Sequence, residues 1–258
     1  GGKRVSSTPP SAKVASRRQS YWIASRSSRY SLLFALPLLL FYEGLVVARP
    51  ARVGDAQIRN GADVLLHQLS YALLGPWGPP ALMAAVMLVC VVLVRRDLKR
   101  GGGLRLGTFA LMFAESAALS LAFGLVVGMA TAELLGQLRA LSMGPIQNMD
   151  ATTRLMLSLG AGLYEELVFR VLLVGGLAFG ARVVLGMGRV TAGIGATIIG
   201  ALAFSAFHYI GPYGEPLQLQ SFVFRAISGV VFSALYLTRG FGITAWTHAL
   251  YDIGVLLG

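Results

Sequence analysis

Long apolar runs, separated by short segments rich in Arg and Lys, constrain this chain more than any other feature of its sequence. The runs cover about residues 31–48, 80–94, 106–129, 155–179, 190–209, 217–238 and 241 onward. A helix that crosses the hydrocarbon core of a bilayer needs about 20 mostly apolar residues. In that core the backbone must satisfy its own hydrogen bonds, which helices do within one segment. The sequence therefore predicts an all-α, polytopic transmembrane helical bundle of about seven spans.

Composition supports a membrane protein and argues against a nucleic-acid partner. The 258 residues are 55% hydrophobic and only 13% charged, whereas soluble domains devote about a quarter of their residues to charge. The net charge of +11 comes from basic residues that flank the apolar runs, as loop anchors do at a lipid surface. We therefore expect membrane lipid, and no nucleic acid, as a partner. Cys90 is the single cysteine, which excludes a disulfide framework.

The chain divides into three parts. Residues 1–29 hold seven basic and no acidic residues, a composition typical of a disordered cytoplasmic tail. Residues 30–150 are predicted to form the N-terminal transmembrane helices, and residues 151–258 a catalytic core. Within the second part, the amphipathic stretch 62–74 is too short to cross a bilayer alone. It is predicted to lie at the interface, although as half of a hairpin it would add an eighth span.

The basic residues predict an orientation in the cell membrane. With seven spans and the N-terminus in the cytoplasm, fifteen of the 22 Lys and Arg residues fall on the cytoplasmic side and five on the other, the remaining two being inside spans. Positive residues concentrate in cytoplasmic loops. The sequence therefore predicts a multi-pass protein with a cytoplasmic N-terminus, but an extra crossing at residues 62–74 would reverse every later segment.

Ionisable residues of the kinds used in hydrolysis lie inside three of the last four apolar runs. Glu165, Glu166 and Arg170 share one run, and each such group costs about 2.5–3.5 kcal/mol in the bilayer centre. His208 and the pair His248 and Asp252 lie in later runs. Residues four apart share a helix face, which pairs Glu166 with Arg170 and His248 with Asp252. One concern is depth, because His208 lies near the end of its run and Glu165 near the middle of its own.

These side chains suit hydrolysis. A poorly hydrated carboxylate is a competent general base near neutral pH. Arg170 is placed to pair with Glu166, which leaves Glu165 as the freer base. His208 could orient the attacking water, and His248, with Asp252 one turn away, could donate to a developing oxyanion. A structural ion-pair cluster is the alternative for the two glutamates and Arg170, and it leaves both histidines unexplained.

Three motifs occur in order: Glu165-Glu166-x-x-x-Arg170, Phe204-x-x-x-His208 and His248-x-x-x-Asp252. They resemble the motifs of the CPBP family, also called Abi, which contains CAAX proteases and bacteriocin-processing enzymes and is related to the Ras-converting CAAX endopeptidase. The resemblance covers about residues 150–258.

The resemblance implies an intramembrane endopeptidase acting on membrane-associated peptides or proteins, either CAAX-like or leader peptides. It implies that Glu165 and His208 activate water and that His248 and Asp252 stabilise the oxyanion, with Arg170 and Phe204 in supporting positions. The CAAX endopeptidases carry Asn where this chain has Asp252. An ionised Asp would repel an oxyanion, so Asp252 must be protonated, paired with His248 or used differently.

Other functions stay open at this stage. No cofactor is favoured, although zinc is an alternative, with Glu165, His208 and His248 as its ligands. A non-proteolytic family member could serve as a membrane scaffold or immunity protein. A proton-coupled transporter also uses intramembrane Glu and His, but the sequence has no inverted repeat. The natural substrate and the oligomeric state do not follow from the sequence.

Overall fold

The computed structural model describes residues 21–53, 56–100, 103–135, 149–211 and 214–257. These residues are almost entirely helical, so the all-α prediction is confirmed. The exception is a small antiparallel pair between β1 and β2. The elements are α1 (Ser28–Ala48), β1 (Arg52–Val53), β2 (Ala56–Gln57), α2 (Gly61–Leu74), α3 (Gly78–Lys99), α4 (Leu106–Leu135), α5 (Ala151–Val184), α6 (Arg189–Phe207), α7 (Leu219–Arg239) and α8 (Phe241–Leu257).

Six helical stretches among the described residues are long and apolar enough to cross a membrane. They are α1, α2 together with α3, α4, α5, α6 and α7. The last predicted span, α8, has 17 residues, fewer than the roughly 20 that a span needs, and is not among the six. The predicted count of seven or eight spans is therefore not confirmed, whereas a multi-pass membrane protein is.

The stretch 62–74 forms α2, which folds tightly onto the start of α3. A Cβ atom at Gly78 would lie 2.0 Å from the carbonyl oxygen of Ser70. The other end of α3 returns to the start of α1, where the Arg29 N–H donates to Asp97 Oδ2 at 2.9 Å. Because α3 alone has 22 residues, it has the length of a span without α2, and the pair makes one candidate span.

The predicted disordered tail falls largely outside the described residues, which begin at residue 21. Its last part is ordered, since residues 21–25 are helical and α1 begins at Ser28. This part packs against the end of α7. Arg239 Nη2 donates to Ser25 Oγ at 3.0 Å, and the guanidinium lies 3.6 Å from the Trp22 ring centroid. The tail therefore does not extend as a disordered segment to residue 29.

The 17-residue helix α8 occupies the centre of the bundle. It packs against α1, α4, α5 and α7, and Ile243, Ala245 and Ala249 on it are fully buried. It approaches α5 most closely at Gly162, where an added Cβ would lie 2.4 Å from the carbonyl oxygen of Ala245. Only a residue without a side chain permits this approach. The contact places the α8 motif beside the α5 motif.

Candidate active site

The hairpin of α5 and α6 brings the first two motifs together. In an antiparallel pair, residues equidistant from the turn lie side by side. Glu165 is 20 positions before Leu185 and His208 is 20 positions after Gly188, the ends of the turn. Their facing atoms, Glu165 Oε2 and His208 Nε2, are 4.0 Å apart. The predicted difference in depth disappears because α5 continues to Val184, five residues beyond the predicted end of its run.

The motif segment of α5 is wound more loosely than an α-helix. Residues Ala161–Glu165 and Leu167–Val174 are π-helical. Such turns are rare and are frequent at functional sites. The pair predicted from α-helical spacing forms nonetheless, with Arg170 Nε 3.1 Å from Glu166 Oε2.

His208 presents one particular ring nitrogen to Glu165. Its Nδ1 lies 2.9 Å from the carbonyl oxygen of Phe204. A carbonyl oxygen can only accept, so Nδ1 carries the hydrogen. The other nitrogen, Nε2, is therefore the one that faces the carboxylate. The backbone of the second motif thus sets the tautomer of its own histidine.

Asn60 is a site residue that the sequence did not reveal. Its Nδ2 donates to Glu165 Oε1 at 2.9 Å. The side chain is fixed from its other end, because Oδ1 accepts from the Ala62 N–H at 2.9 Å as the N-cap of α2. The backbone N–H of Asn60 donates to the Tyr42 hydroxyl. An Asn before a helix is a recognisable cap, but nothing local connects it with a residue 105 positions away.

Glu166 and Arg170 are the most deeply buried ionisable residues of the site. Glu166 is 0% and Arg170 1% exposed. The second oxygen of Glu166, Oε1, is 2.8 Å from His248 Nδ1, so the imidazole N–H donates to the carboxylate. The Arg170 guanidinium lies over two rings, 4.3 Å from the Phe204 centroid and 5.4 Å from that of Phe232. Phe204 therefore packs directly against the buried cation.

Asp252 is near His248 without being hydrogen-bonded to it. Its Oδ2 lies 3.6 Å from His248 Nε2, within ion-pair range but beyond hydrogen-bond length. The His248 ring is stacked on Phe232, with centroids 4.5 Å apart, which fixes its plane. The Asp252 side chain is 25% exposed. His248 therefore lies between a buried carboxylate on one side and an accessible one on the other.

A second polar network surrounds the loop that carries Asn60. Asp63 is fully buried and accepts from the Tyr42 hydroxyl at 2.7 Å. Arg59 pairs with Asp63 and, at 3.0 Å, with Glu43. The network links the end of α1, the loop that follows it and the start of α2. It holds the backbone that carries Asn60.

The donor set does not form a clear zinc site. Among the described residues, no group of three or more His, Cys, Asp or Glu side chains is arranged to hold a metal ion. His208 Nε2 could ligate, and so could His248 Nε2, since Glu166 binds only the Nδ1 of His248. The predicted ligands Glu165, His208 and His248 do not form such a group.

Comparison with known proteins gives one family match, in the C-terminal part of the chain. The family model described as type II CAAX prenyl endopeptidase Rce1-like matches residues 148–254. No curated protein and no solved structure matches the chain. The matched region contains all three motifs and does not reach Asn60. This chain is therefore a multi-pass membrane protein whose residues 148–254 match the Rce1-like model of the CPBP membrane endopeptidases.

Proposed function

We propose that the protein is an intramembrane endopeptidase that hydrolyses peptide bonds of membrane-associated substrates with water activated by Glu165. One observation carries the proposal: Glu165 Oε2 and His208 Nε2 face each other at 4.0 Å inside the bundle. This separation is too long for a direct hydrogen bond and suits a water bonded to both groups. Asn60 holds the other oxygen of Glu165, so the carboxylate keeps a fixed orientation.

The first step is attack on the scissile carbonyl. Glu165 takes a proton from the water, and the hydroxide oxygen bonds to the carbonyl carbon. His208 Nε2, an acceptor in the tautomer set by Phe204, orients the second hydrogen of the water. When the tetrahedral intermediate collapses, Glu165 returns its proton to the leaving amine and the C–N bond breaks. A positioned base of this kind contributes about 10²–10⁴-fold.

The part of the site around His248 is suited to stabilising the oxyanion. His248 donates from Nδ1 to Glu166, and in its doubly protonated form it donates from Nε2 as well. Two carboxylates, Glu166 and Asp252, flank the ring and favour that charged form. Nε2 is the nitrogen on the accessible side, next to Asp252. We assign it to the oxyanion, where one donor is worth about 10²–10³ in kcat.

The two adjacent glutamates have different roles in this mechanism. Glu166 is fixed by Arg170 and His248 and serves to position the imidazole. Glu165 contacts the amide of Asn60 and faces His208, so its second oxygen is available to a water. No step in this mechanism uses a metal ion.

The substrates proposed are CAAX-like proteins or leader peptides. The site residues act on the peptide carbonyl and do not by themselves select between these two classes. The proposed location is the cell membrane, with the N-terminus in the cytoplasm. A scaffold would not cleave peptides, and a proton-coupled transporter would move protons without cleaving them. Peptide cleavage that depends on Glu165 therefore distinguishes the protease from both.

The test is hydrolysis of a library of quenched fluorescent membrane peptides by the full chain in detergent. Wild type, Glu165→Gln and Glu133→Gln are compared, the last being an exposed glutamate on α4. We expect cleavage by wild type and Glu133→Gln and at least a hundredfold loss in Glu165→Gln. Activity that survives a chelator supports water activation by the carboxylate, whereas loss on chelation would assign it to a metal. Equal activity in all three variants would refute the proposal.

A further inference from the structure

The structure places one set of helix ends together, independently of the number of spans. The Tyr30 hydroxyl, at the start of α1, accepts from the Arg105 N–H at 2.8 Å, just before α4. Ser31 Oγ accepts from the Gly242 N–H at 2.8 Å, at the start of α8. With the contact between Arg29 and Asp97, the end of α3 and the starts of α1, α4 and α8 share one end of the bundle.

The turn between α5 and α6 lies at the same end. α6 and α7 are antiparallel, since a Cβ at Gly229 would lie 2.7 Å from the Ala201 Cα and the Tyr209 hydroxyl lies 2.6 Å from Ser221 Oγ. The start of α6, Arg189, is thus level with the end of α7, Arg239. Arg239 in turn contacts Ser25, just before α1.

This end is strongly basic, and we call it the basic end. Ten described cations lie there: Arg26, Arg29, Arg95, Arg96, Lys99, Arg100, Arg105, Arg182, Arg189 and Arg239. The opposite end has five, namely Arg49, Arg52, Arg59, Arg154 and Arg225, the last paired with Glu215. The acidic residues are distributed the other way, with Glu43, Asp63, Glu133, Asp150 and Glu215 towards the opposite end and two, Asp97 and Glu115, at the basic end, where Glu115 pairs with Arg239. Basic loops stay in the cytoplasm, so the basic end is cytoplasmic.

The water-activating pair lies away from the basic end. His208 follows the last residue of α6 and is 19 positions from Arg189. At 1.5 Å per residue this is about 28 Å along the helix, close to the roughly 30 Å thickness of the hydrocarbon core. Glu165 at the same level bonds to Asn60, in the loop that follows α1. The His208 side chain is 24% exposed, and both residues lie nearer to this end than to the basic end along their helices.

We infer that the site takes peptides presented on the non-cytoplasmic side of the membrane. Of the two substrate classes proposed above, this side favours leader peptides, as exported or extracytoplasmic segments of membrane-anchored peptides, over CAAX-like C-termini of lipid-modified cytosolic proteins. A cytosolic C-terminus would meet the basic end, which is separated from Glu165 by almost the whole length of α6. This inference rests on the proposed protease function and adds the side of the membrane from which the substrate reaches the site.

Cysteine labelling tests the sidedness without any substrate. In a Cys90→Ser background, Gly103→Cys places a thiol at the basic end and Gln218→Cys places one beside α7 at the opposite end. Both positions are exposed, and a Cβ at Gly103 meets no atom within 4 Å. A membrane-impermeant maleimide should label Gln218→Cys in intact cells and Gly103→Cys only after permeabilisation. The reverse pattern would overturn the inference.

Activity in sealed vesicles tests the substrate side. The probe is the most rapidly cleaved peptide of the library, with a charged fluorophore that cannot cross the membrane. We expect right-side-out vesicles to cleave it at least tenfold faster than inside-out vesicles, and detergent to equalise the two. Faster cleavage by inside-out vesicles would overturn the inference alone. No cleavage even in detergent would refute the protease itself, and with it this inference, whatever the labelling shows.

Discussion

Asn60 Nδ2 donates to Glu165 Oε1 at 2.9 Å, a contact between residues 105 positions apart. Asn60 precedes the Rce1-like region at residues 148–254, so the N-terminal part of the chain contributes to the candidate site. The amide cannot rotate freely, because its oxygen is bonded to the Ala62 N–H. We therefore assign Asn60 a positioning role: it aims one oxygen of Glu165 away from the water and leaves the other towards His208.

Replacing Asn60 should lower activity and change its pH dependence. A hydrogen bond to a charged group is worth about 1.5–3 kcal/mol, which predicts a loss in kcat of about ten- to a hundredfold for Asn60→Ala. Without the donor, the carboxylate form of Glu165 is less favoured, so the acidic limb of the pH–rate profile should move to higher pH. Steady-state kinetics in detergent across pH measures both effects.

The cap that Asn60 provides needs its own control. Asn60→Ser keeps an N-cap acceptor but cannot reach Glu165. It should unfold near the wild-type temperature and lose activity like Asn60→Ala. A serine variant with wild-type kinetics would mean that Asn60 serves only the helix.

Replacing Glu165 should affect mainly activity, whereas replacing Glu166 should also lower stability. Glu165→Gln keeps an oxygen for Asn60 and should leave the unfolding temperature nearly unchanged while activity disappears. Glu166→Gln leaves the buried Arg170 without a compensating charge, which costs about 3–5 kcal/mol for a broken buried pair. Thermal unfolding followed by tryptophan fluorescence, together with peptide cleavage, separates the two. Equal destabilisation by both substitutions would contradict the assignment.

Phe204 should stabilise the fold through Arg170. The guanidinium lies 4.3 Å from the ring centroid in a site closed to solvent, where a cation–π contact is worth about 2 kcal/mol. Phe204→Leu should therefore lower the unfolding temperature clearly. Phe179→Leu is the matched control, because Phe179 on α5 is 66% exposed and should change stability little. If both variants unfold alike, Phe204 is ordinary packing.

Gly162 should tolerate no side chain. A methyl group there would meet the Ala245 carbonyl oxygen at 2.4 Å and the Ala249 Cβ at 2.7 Å. Gly162→Ala should push α5 and α8 apart, separate Glu166 from His248, and abolish activity. Gly176→Ala, on the same helix with no atom within 4 Å, should be neutral or stabilising by about 0.5–1 kcal/mol. The prediction fails if Gly162→Ala retains wild-type cleavage.

Asp252 should be replaceable by the amide that CAAX endopeptidases carry. In Asp252→Asn the side chain can donate to the oxyanion beside His248 Nε2, so we expect activity within about tenfold of wild type. Asp252→Ala removes the partner of Nε2 and should cost about a hundredfold, the scale of one oxyanion group. The rates at which the two variants cleave one peptide test this prediction. Asparagine and alanine variants of equal, low activity would show that the charge itself is required.

Much of the fold could be predicted from hydropathy, because burial in lipid imposes a long apolar run on each spanning helix. The ends of the helices could not. The run at 155–179 belongs to a helix that extends from Ala151 to Val184. Hydropathy reports only the part of a helix that meets lipid, while backbone hydrogen bonds continue through its polar ends. The apparent mismatch in depth between Glu165 and His208 came from this difference.

The sequence by itself determined the contacts within single helices. The spacing of Glu166 and Arg170, of Phe204 and His208, and of His248 and Asp252 places each pair on one face, and all three pairs are in contact in the structure.

Only the tertiary structure decided which pairs meet across helices. The length of the α5–α6 hairpin sets Glu165 opposite His208, and the close approach at Gly162 sets Glu166 opposite His248. The fold also carries Asn60 to Glu165 from a loop outside the motifs. The physical reason is that contacts between helices depend on turn position and interaxial distance, which residues far apart set jointly, whereas a helical period is set by neighbours in the chain.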